Sequence, residues 1–274
     1  MPESQPATAA REIVVEVEAL TRVFGPLTAV DHVTLAIAQG EIFGLIGPNG
    51  AGKSTLIKML TTLLPPSAGT ARVDGFDIVS QPAEVRRHIG YVPQLLSADG
   101  ALTGYENLLL SARLYGVPRA ERGERITRAL ARMGLAEVAD RVVGHYSGGM
   151  IRRLEIAQSL LHRPSVLFLD EPTVGLDPAA RETVWERVLE LRDRFQRTMV
   201  VTSHHMEEID QFCDRIALID HGRIAAVGTP AELKARVGPD ATLDDVFIQL
   251  VGASESEDSY GQVRQARRAA REHG

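Results

Sequence analysis

A glycine-rich loop that ends in a lysine and a serine is the first place in this sequence where chemistry can be sought. The loop and the residue after it are Gly47, Pro48, Asn49, Gly50, Ala51, Gly52, Lys53, Ser54 and Thr55. Glycines let backbone N–H groups turn inward around phosphate oxygens, a lysine ammonium neutralises the β- and γ-phosphates, and a serine hydroxyl ligates Mg²⁺. The spacing therefore predicts that the loop binds a nucleoside triphosphate together with Mg²⁺.

An aspartate and a glutamate follow a second apolar stretch and supply the carboxylates that such a site needs. Asp170 ends the apolar run 166–169, so its carboxylate is expected at the carboxyl end of a sheet, where open α/β sheets bind ligands and where it can reach Mg²⁺. Glu171 comes next and is the candidate general base, which would aim a water molecule at the γ-phosphate. The pair predicts transfer of the phosphoryl group to water.

The predicted secondary structure places these residues at the ends of strands. A strand at 41–46 runs into the glycine-rich loop, and a helix at 53–63 leaves it. Continuous apolar strands at 165–170 and 198–202, separated by a helix at 179–195, indicate a parallel sheet that is buried on both faces. Strand, loop and helix therefore follow one another in the order that a phosphate loop requires.

The remaining segments predict an antiparallel layer and a helical insert around this core. Alternating strands at 13–20 and 33–38 and a hairpin at 71–78 form the antiparallel layer. Helices dominate 95–145, and a hairpin at 216–227 is followed by helices at 230–237 and 243–250. The fold class is therefore α/β, with an antiparallel β subdomain and an inserted α-helical subdomain.

A serine followed by two glycines precedes an amphipathic stretch at 151–161. The four residues of this segment are Ser147, Gly148, Gly149 and Met150. Alone, the segment is typical of a helix cap and a flexible turn. Beside the phosphate loop and the Asp170–Glu171 pair, it resembles the signature sequence of the ATP-binding cassette (ABC) family. The resemblance covers about residues 13–227.

This resemblance implies a P-loop NTPase core with a RecA-like mixed sheet, and ATP and Mg²⁺ as ligands. It also assigns residues outside the motifs already described. Gln94 resembles the glutamine that joins Ser54 and Asp170 around Mg²⁺, and His204 resembles the histidine that contacts the γ-phosphate. Phe24 occupies the position of the aromatic residue that stacks on adenine, although Val23 or a neighbour is an alternative.

The family resemblance also implies that two copies of the chain act together. In such proteins the serine and glycines of the signature, here Ser147 to Gly149, bind the γ-phosphate of the ATP held by the opposite subunit, and Asp177 lies in a loop at the interface. Because the chain has one cassette, the second ATP-binding subunit is expected to be another chain, in a homodimer. Glu171, His204 and Lys53 are then the catalytic residues.

Three finer features resemble the daunorubicin-resistance and multidrug efflux branch of the family. They are the Tyr-Ser-Gly-Gly-Met signature at 146–150, the opening segment at 20–25 and the segment at 242–247. In that branch the ATPase is separate from its transmembrane permease, so we expect such a partner, a place at the cytoplasmic face of the membrane, and efflux of an antibiotic, drug or lipid-like compound. An importer ATPase and a soluble cassette ATPase that acts on ribosomes or nucleic acid remain the alternatives.

Composition bounds these expectations. The 274 residues carry a formal net charge of −6 from interspersed acids and bases, so no nucleic-acid partner is expected. Cys213 is the single cysteine and cannot form an internal disulfide. No apolar run reaches the roughly 18 residues that span a bilayer. The predicted domains are a tail at 1–12, an ATPase domain at 13–237, a helical extension at 238–252 and a charged tail at 253–274.

Overall fold

The computed structural model describes residues 12–251, and its strands fall into two sheets. The strands of this part are β1 (Ile13–Phe24), β2 (Leu27–Ala38), β3 (Ile42–Ile46), β4 (Ala68–Val73), β5 (Phe76–Asp77), β6 (Ile89–Val92), β7 (Val166–Asp170), β8 (Thr198–Ser203), β9 (Arg215–Asp220) and β10 (Arg223–Gly228). The helices are α1 (Lys53–Leu60), α2 (Pro82–His88), α3 (Gly104–Leu114), α4 (Arg119–Arg132), α5 (Gly148–Ser159), α6 (Pro178–Phe195), α7 (Met206–Phe212), α8 (Pro230–Ala235) and α9 (Leu243–Val251). Apart from Glu12, the predicted tails at 1–12 and 253–274 lie outside the described residues.

The larger sheet positions the chemistry, with its strands in the spatial order β10-β9-β3-β8-β7-β6. Its neighbours pair in parallel except for β10 and β9, so the carboxyl ends of β3, β7 and β8 lie along one edge. All side chains of these three strands are buried, which explains why they are continuous apolar runs without alternation. The predicted α/β fold of the P-loop NTPase type is confirmed.

The smaller sheet is antiparallel, with the order β2-β1-β4-β5, and it covers one face of the larger sheet. Residues Phe43 and Leu45 of β3 belong to the core between the two sheets. Their neighbours Ile42 and Ile46 point to the opposite face and pack in a second core with the helices. Because successive strand residues face opposite sides, β3 contributes to both cores, as β7 and β8 also do.

Helices α3 and α4 lie within the predicted insert 95–145, and α5 packs against both of them. The sequence did not predict α2 or β6, because seven and four residues are too few to establish a periodicity. In the described part of the chain, no helix combines the length and the apolar character needed to cross a membrane.

Candidate active site

The glycine-rich loop lies between β3 and α1, and at Gly47 and Gly52 it packs against backbone atoms that leave no room for a side chain. A Cβ at Gly47 would lie 2.1 Å from the carbonyl oxygen of Ile219. A Cβ at Gly52, where φ is +105°, would lie 2.3 Å from the carbonyl oxygen of Ala29. Gly52 also precedes α1 and provides no side-chain cap, so the N–H groups of the first helical turn remain available to an anion.

Lys53 is held inside this loop by two backbone carbonyls. Its Nζ donates to the carbonyl oxygens of Gly47 at 2.8 Å and Pro48 at 3.1 Å, and the residue is only 5% exposed. Burial lowers the pKa of the Lys53 ammonium, and the carboxylates of Glu171 and Asp170 oppose that shift. The loop therefore presents a fixed cation to phosphate oxygens without having to order a flexible side chain.

Ser54 and Asp170 meet as the sequence predicted for ligands of one metal ion. Ser54 Oγ donates to Asp170 Oδ1 at 3.1 Å. Hydroxyl and carboxylate oxygens are the hard donors that Mg²⁺ prefers, and Mg²⁺ commonly takes few protein ligands beside phosphate oxygens and water. This donor set therefore fits Mg²⁺ held jointly with a nucleotide.

Thr202 holds the carboxylate of Asp170 and the backbone of Glu171, and sequence reasoning missed it. Its Oγ1 donates to Asp170 Oδ1 at 2.7 Å and accepts the backbone N–H of Glu171 at 2.8 Å. The threonine is opposite Asp170 in the parallel pairing of β7 with β8. Only that pairing brings the residue to the site, although the predicted strand at 198–202 already contained it.

Glu171 is buried and held in an uncommon backbone conformation. Its φ of 48° lies in the left-handed region, which costs an L-residue about 1–2 kcal/mol. His204 Nδ1 lies 2.9 Å from Glu171 Oε2 and is the donor, since a carboxylate only accepts. Glu171 Oε1 lies 3.9 Å from Lys53 Nζ. The structure thus brings together three of the predicted catalytic side chains.

Two predicted ligands lie at the edges of this group. Gln94 follows β6 and is exposed; its backbone carbonyl accepts from Arg152 Nη2 at 2.8 Å. Phe24 ends β1 and is 42% exposed, with the guanidinium of Arg22 4.6 Å from its ring centroid. The Gln94 side chain makes no hydrogen bond to another described residue, and the exposed ring of Phe24 remains accessible for stacking.

The signature residues form the N-terminus of α5, where Ser147 is the N-cap and its Oγ accepts the N–H of Met150 at 3.3 Å. A Cβ at Gly149 would lie 2.8 Å from Cβ of Ala180, close to the N-terminus of α6 that Asp177 caps. Within residues 12–251, no hydrogen bond joins 147–150 to the phosphate loop. The signature therefore faces the loop around Asp177.

A buried glutamate that the sequence did not single out links the segments that follow the site residues. Glu208 of α7 accepts from Thr173 Oγ1 at 2.7 Å and from Trp185 Nε1 at 3.1 Å, and Arg181 Nε lies 3.2 Å away. Thr173 follows Glu171 closely, and the arginine and tryptophan belong to α6. Glu208 thus holds α6 and α7 against the segment that follows Glu171.

Comparisons with known proteins agree with this geometry. A family model described as ABC transporter matches residues 30–174. The daunorubicin/doxorubicin resistance ATP-binding protein DrrA of Streptomyces peucetius is 48% identical over 224 residues, which are 82% of this chain and 68% of that protein. These matches confirm the predicted resemblance to the drug-resistance branch.

Solved structures show the same architecture. One described as the ATP-binding subunit of an ABC transporter is 30% identical, with a TM-score of 0.78, and the match covers 87% of this chain and 99% of that one. The dimeric post-hydrolysis structure of the cassette MJ0796, bound to ADP and phosphate, is 26% identical with a TM-score of 0.70, covering 78% and 98%. The chain therefore belongs to the ABC transporter family, as an ATP-hydrolysing subunit of its drug-resistance branch.

Proposed function

We propose that two copies of this chain close on two ATP molecules and drive a separate transmembrane permease, at the cytoplasmic face of the membrane, that exports an antibiotic, drug or lipid-like compound. The observation that carries the dimer is the position of the signature. Ser147 and Gly148 are exposed and have no hydrogen bond to their own phosphate loop in the described part, so a helix N-terminus suited to phosphate stays open for another copy.

Different residues of the chain bind the phosphates of ATP and accept the proton during hydrolysis. Lys53 and the first turn of α1 bind the β- and γ-phosphates of ATP. Glu171 accepts a proton from water while the water oxygen forms a bond to the γ-phosphorus and the bond to the β–γ bridging oxygen breaks, which yields ADP and phosphate. His204 holds the Glu171 carboxylate in place through the 2.9 Å contact.

Ser54, Asp170 and Gln94 are the residues that we propose to hold Mg²⁺. The metal ion would neutralise charge on the phosphate oxygens and on the leaving ADP. Asp170 is fixed for that task by the hydroxyl of Thr202 at 2.7 Å. Gln94 would reach the ion by a movement of its loop, since its side chain is exposed and makes no hydrogen bond among the described residues.

An apolar face beside Gln94 supports the permease partner. Leu95 is 81% exposed, and Leu110 and Leu114 of α3 and Tyr115 after it are exposed as well. The last three line a surface cleft of about 260 Å³ together with Pro93 and Ser97 of the loop after β6. Clustered exposed apolar side chains mark interaction sites, and this cluster adjoins the loop that carries a predicted ATP ligand. We call it the docking cleft.

Co-purification of the chain with its membrane partner tests the transport function. We expect Leu114→Glu to lose the permease, because a buried carboxylate in an apolar interface is costly. Leu63→Glu is the matched control, since Leu63 is 60% exposed and lies after α1. Compounds added to the intact complex should stimulate ATPase activity. Association with ribosomes or nucleic acid and never with a membrane protein would contradict the proposal. Stimulation of the ATPase activity by an imported nutrient would show that the transporter is an importer and not an exporter.

A further inference from the structure

The loop at 93–98, which carries Gln94, is held by two residues of one helix. In the described part of the chain it makes no backbone-to-backbone hydrogen bond. Its hydrogen bonds all end on Arg152 or Glu155 of α5. We call residues 93–98 the Gln94 loop.

Arg152 holds the first half of the Gln94 loop through main-chain carbonyls. Its Nη1 donates to the carbonyl oxygen of Pro93 at 2.6 Å, and its Nη2 donates to that of Gln94 at 2.8 Å. Two donors on one planar guanidinium fix direction as well as distance. Because the partners are backbone atoms, movement of the arginine must move the loop itself.

Glu155 holds the second half and also neutralises Arg152. Its Oε1 accepts the backbone N–H of Ser97, and the Ser97 hydroxyl donates to the same oxygen at 3.1 Å. Its Oε2 lies 3.0 Å from Arg152 Nη1, and both side chains are 2% exposed. A buried ion pair of this kind is a poor source of stability but a strong geometric constraint.

The signature lies at the N-terminus of the same helix. Ser147 caps α5, and Arg152 and Glu155 follow one and two turns later. A rigid helix of this length transmits a displacement of its N-terminus to residues one or two turns away. Leu95, which is part of the Gln94 loop, also belongs to the exposed apolar face beside the docking cleft.

We propose that Arg152 and Glu155 are positioning residues that make the place of the Gln94 loop depend on helix α5. Engagement of the Ser147 end of α5 by the nucleotide of the opposite subunit then moves Gln94 and the adjoining apolar face together. Permease binding at the docking cleft acts on ATP binding through the same two side chains in reverse, because coupling between two binding sites is reciprocal. This inference rests on the proposed dimer.

Hydrogen exchange of the full-length chain tests it directly. In a Glu171→Gln background with magnesium ATP added, we expect both the first turn of α5 and the Gln94 loop to gain protection. Adding Arg152→Gln should leave the protection of α5 intact, while the Gln94 loop no longer gains protection with ATP, because the Pro93 and Gln94 carbonyls lose the guanidinium that holds them. If the Gln94 loop of the Arg152→Gln variant still gains protection when ATP is added, the proposal is wrong.

Two further variants separate positioning from stability. Arg153→Gln is the matched control, because Arg153 lies on the same helix but donates to the Met133 carbonyl at 2.8 Å; its Gln94 loop should respond as in the parent. Arg152→Met combined with Glu155→Leu replaces the buried pair by apolar groups, which often preserves folding. We expect this double variant to fold and to lack the response. If the Gln94 loop of the double variant still gains protection with ATP, the Arg152–Glu155 pair serves stability alone. If α5 gains no protection with ATP in the Glu171→Gln parent, the proposed dimer is wrong instead.

Discussion

Replacing Glu171 by glutamine changes the charge of the site but hardly its shape. The amide oxygen can still accept from His204 Nδ1, now 2.9 Å from the carboxylate, and the backbone N–H still donates to Thr202 Oγ1 at 2.8 Å. What the variant loses is the proton acceptor. A well-placed general base contributes about 10²- to 10⁴-fold in rate, so the barrier should rise by about 3–5 kcal/mol.

The stability of the same variant should change far less. The Glu171 carboxylate lies 3.9 Å from the Lys53 ammonium, and their attraction is about 4 kcal/mol at an effective dielectric constant near 20. The carboxylate is also buried, and its desolvation costs several kcal/mol, which the neutral amide avoids. These two terms oppose each other, so the melting temperature should move by about 5 °C or less.

Two assays on the full-length chain separate these effects. Steady-state hydrolysis should show kcat reduced by at least about 10²-fold, while a fluorescent ATP analogue binds with nearly unchanged affinity. Size-exclusion chromatography with ATP should show a dimer that persists because turnover is blocked. A loss of kcat below about tenfold, with binding and melting temperature unchanged, would remove Glu171 from the role of base.

The other predictions concern binding and pH. Lys53→Ala should abolish nucleotide binding, measured by the same analogue, since it removes the cation held between the loop carbonyls; retained affinity would contradict this. Phe24→Ala should raise the KM for ATP about 5- to 150-fold, because base stacking is worth about 1–3 kcal/mol, whereas Phe24→Trp should keep the KM low; equal values would exclude Phe24 as the adenine platform. Burial lowers the pKa of His162, whose Nε2 donates to the Ile89 carbonyl at 2.7 Å. Below pH 6.5, the ordinary pKa of a histidine, the unfolded chain therefore takes up a proton at His162 that the folded chain does not. The free energy of unfolding consequently decreases as the pH is lowered. Thermal melts between about pH 7 and pH 5 should show a smaller loss for His162→Gln; an equal loss would assign the acid sensitivity to other groups.

Local patterns in the sequence were sufficient for much of the fold. The phosphate loop is one continuous segment, so its strand, glycines and helix could be located without knowledge of distant residues. Asp170 and Glu171 were located for the same reason, at the end of an apolar run. The parallel sheet and the helices of the predicted insert 95–145 also follow from local patterns, but β2 begins at Leu27, well before the predicted strand at 33–38.

Features that depend on long-range pairing could not be predicted in this way. Thr202 reaches Asp170 only because β7 and β8 are neighbours in register, and one sequence does not state the order of strands. Arg152 and Glu155 look like ordinary surface charges of an amphipathic helix, since their burial depends on the loop packed against them. Glu208 is similar, with partners on two other segments.

Gly47 of the phosphate loop and Gly149 of the signature differ in whether a second mutation can compensate for their replacement. The obstacle to a side chain at Gly47 is a main-chain carbonyl of β9 at 2.1 Å, and no substitution elsewhere removes a main-chain atom. The obstacle at Gly149 is the Cβ of Ala180 at 2.8 Å, which Ala180→Gly would delete. A genetic selection that starts from Gly47→Ala should therefore yield only revertants to glycine and no second-site suppressors. The same selection from Gly149→Ala should also yield Ala180→Gly as an intragenic suppressor.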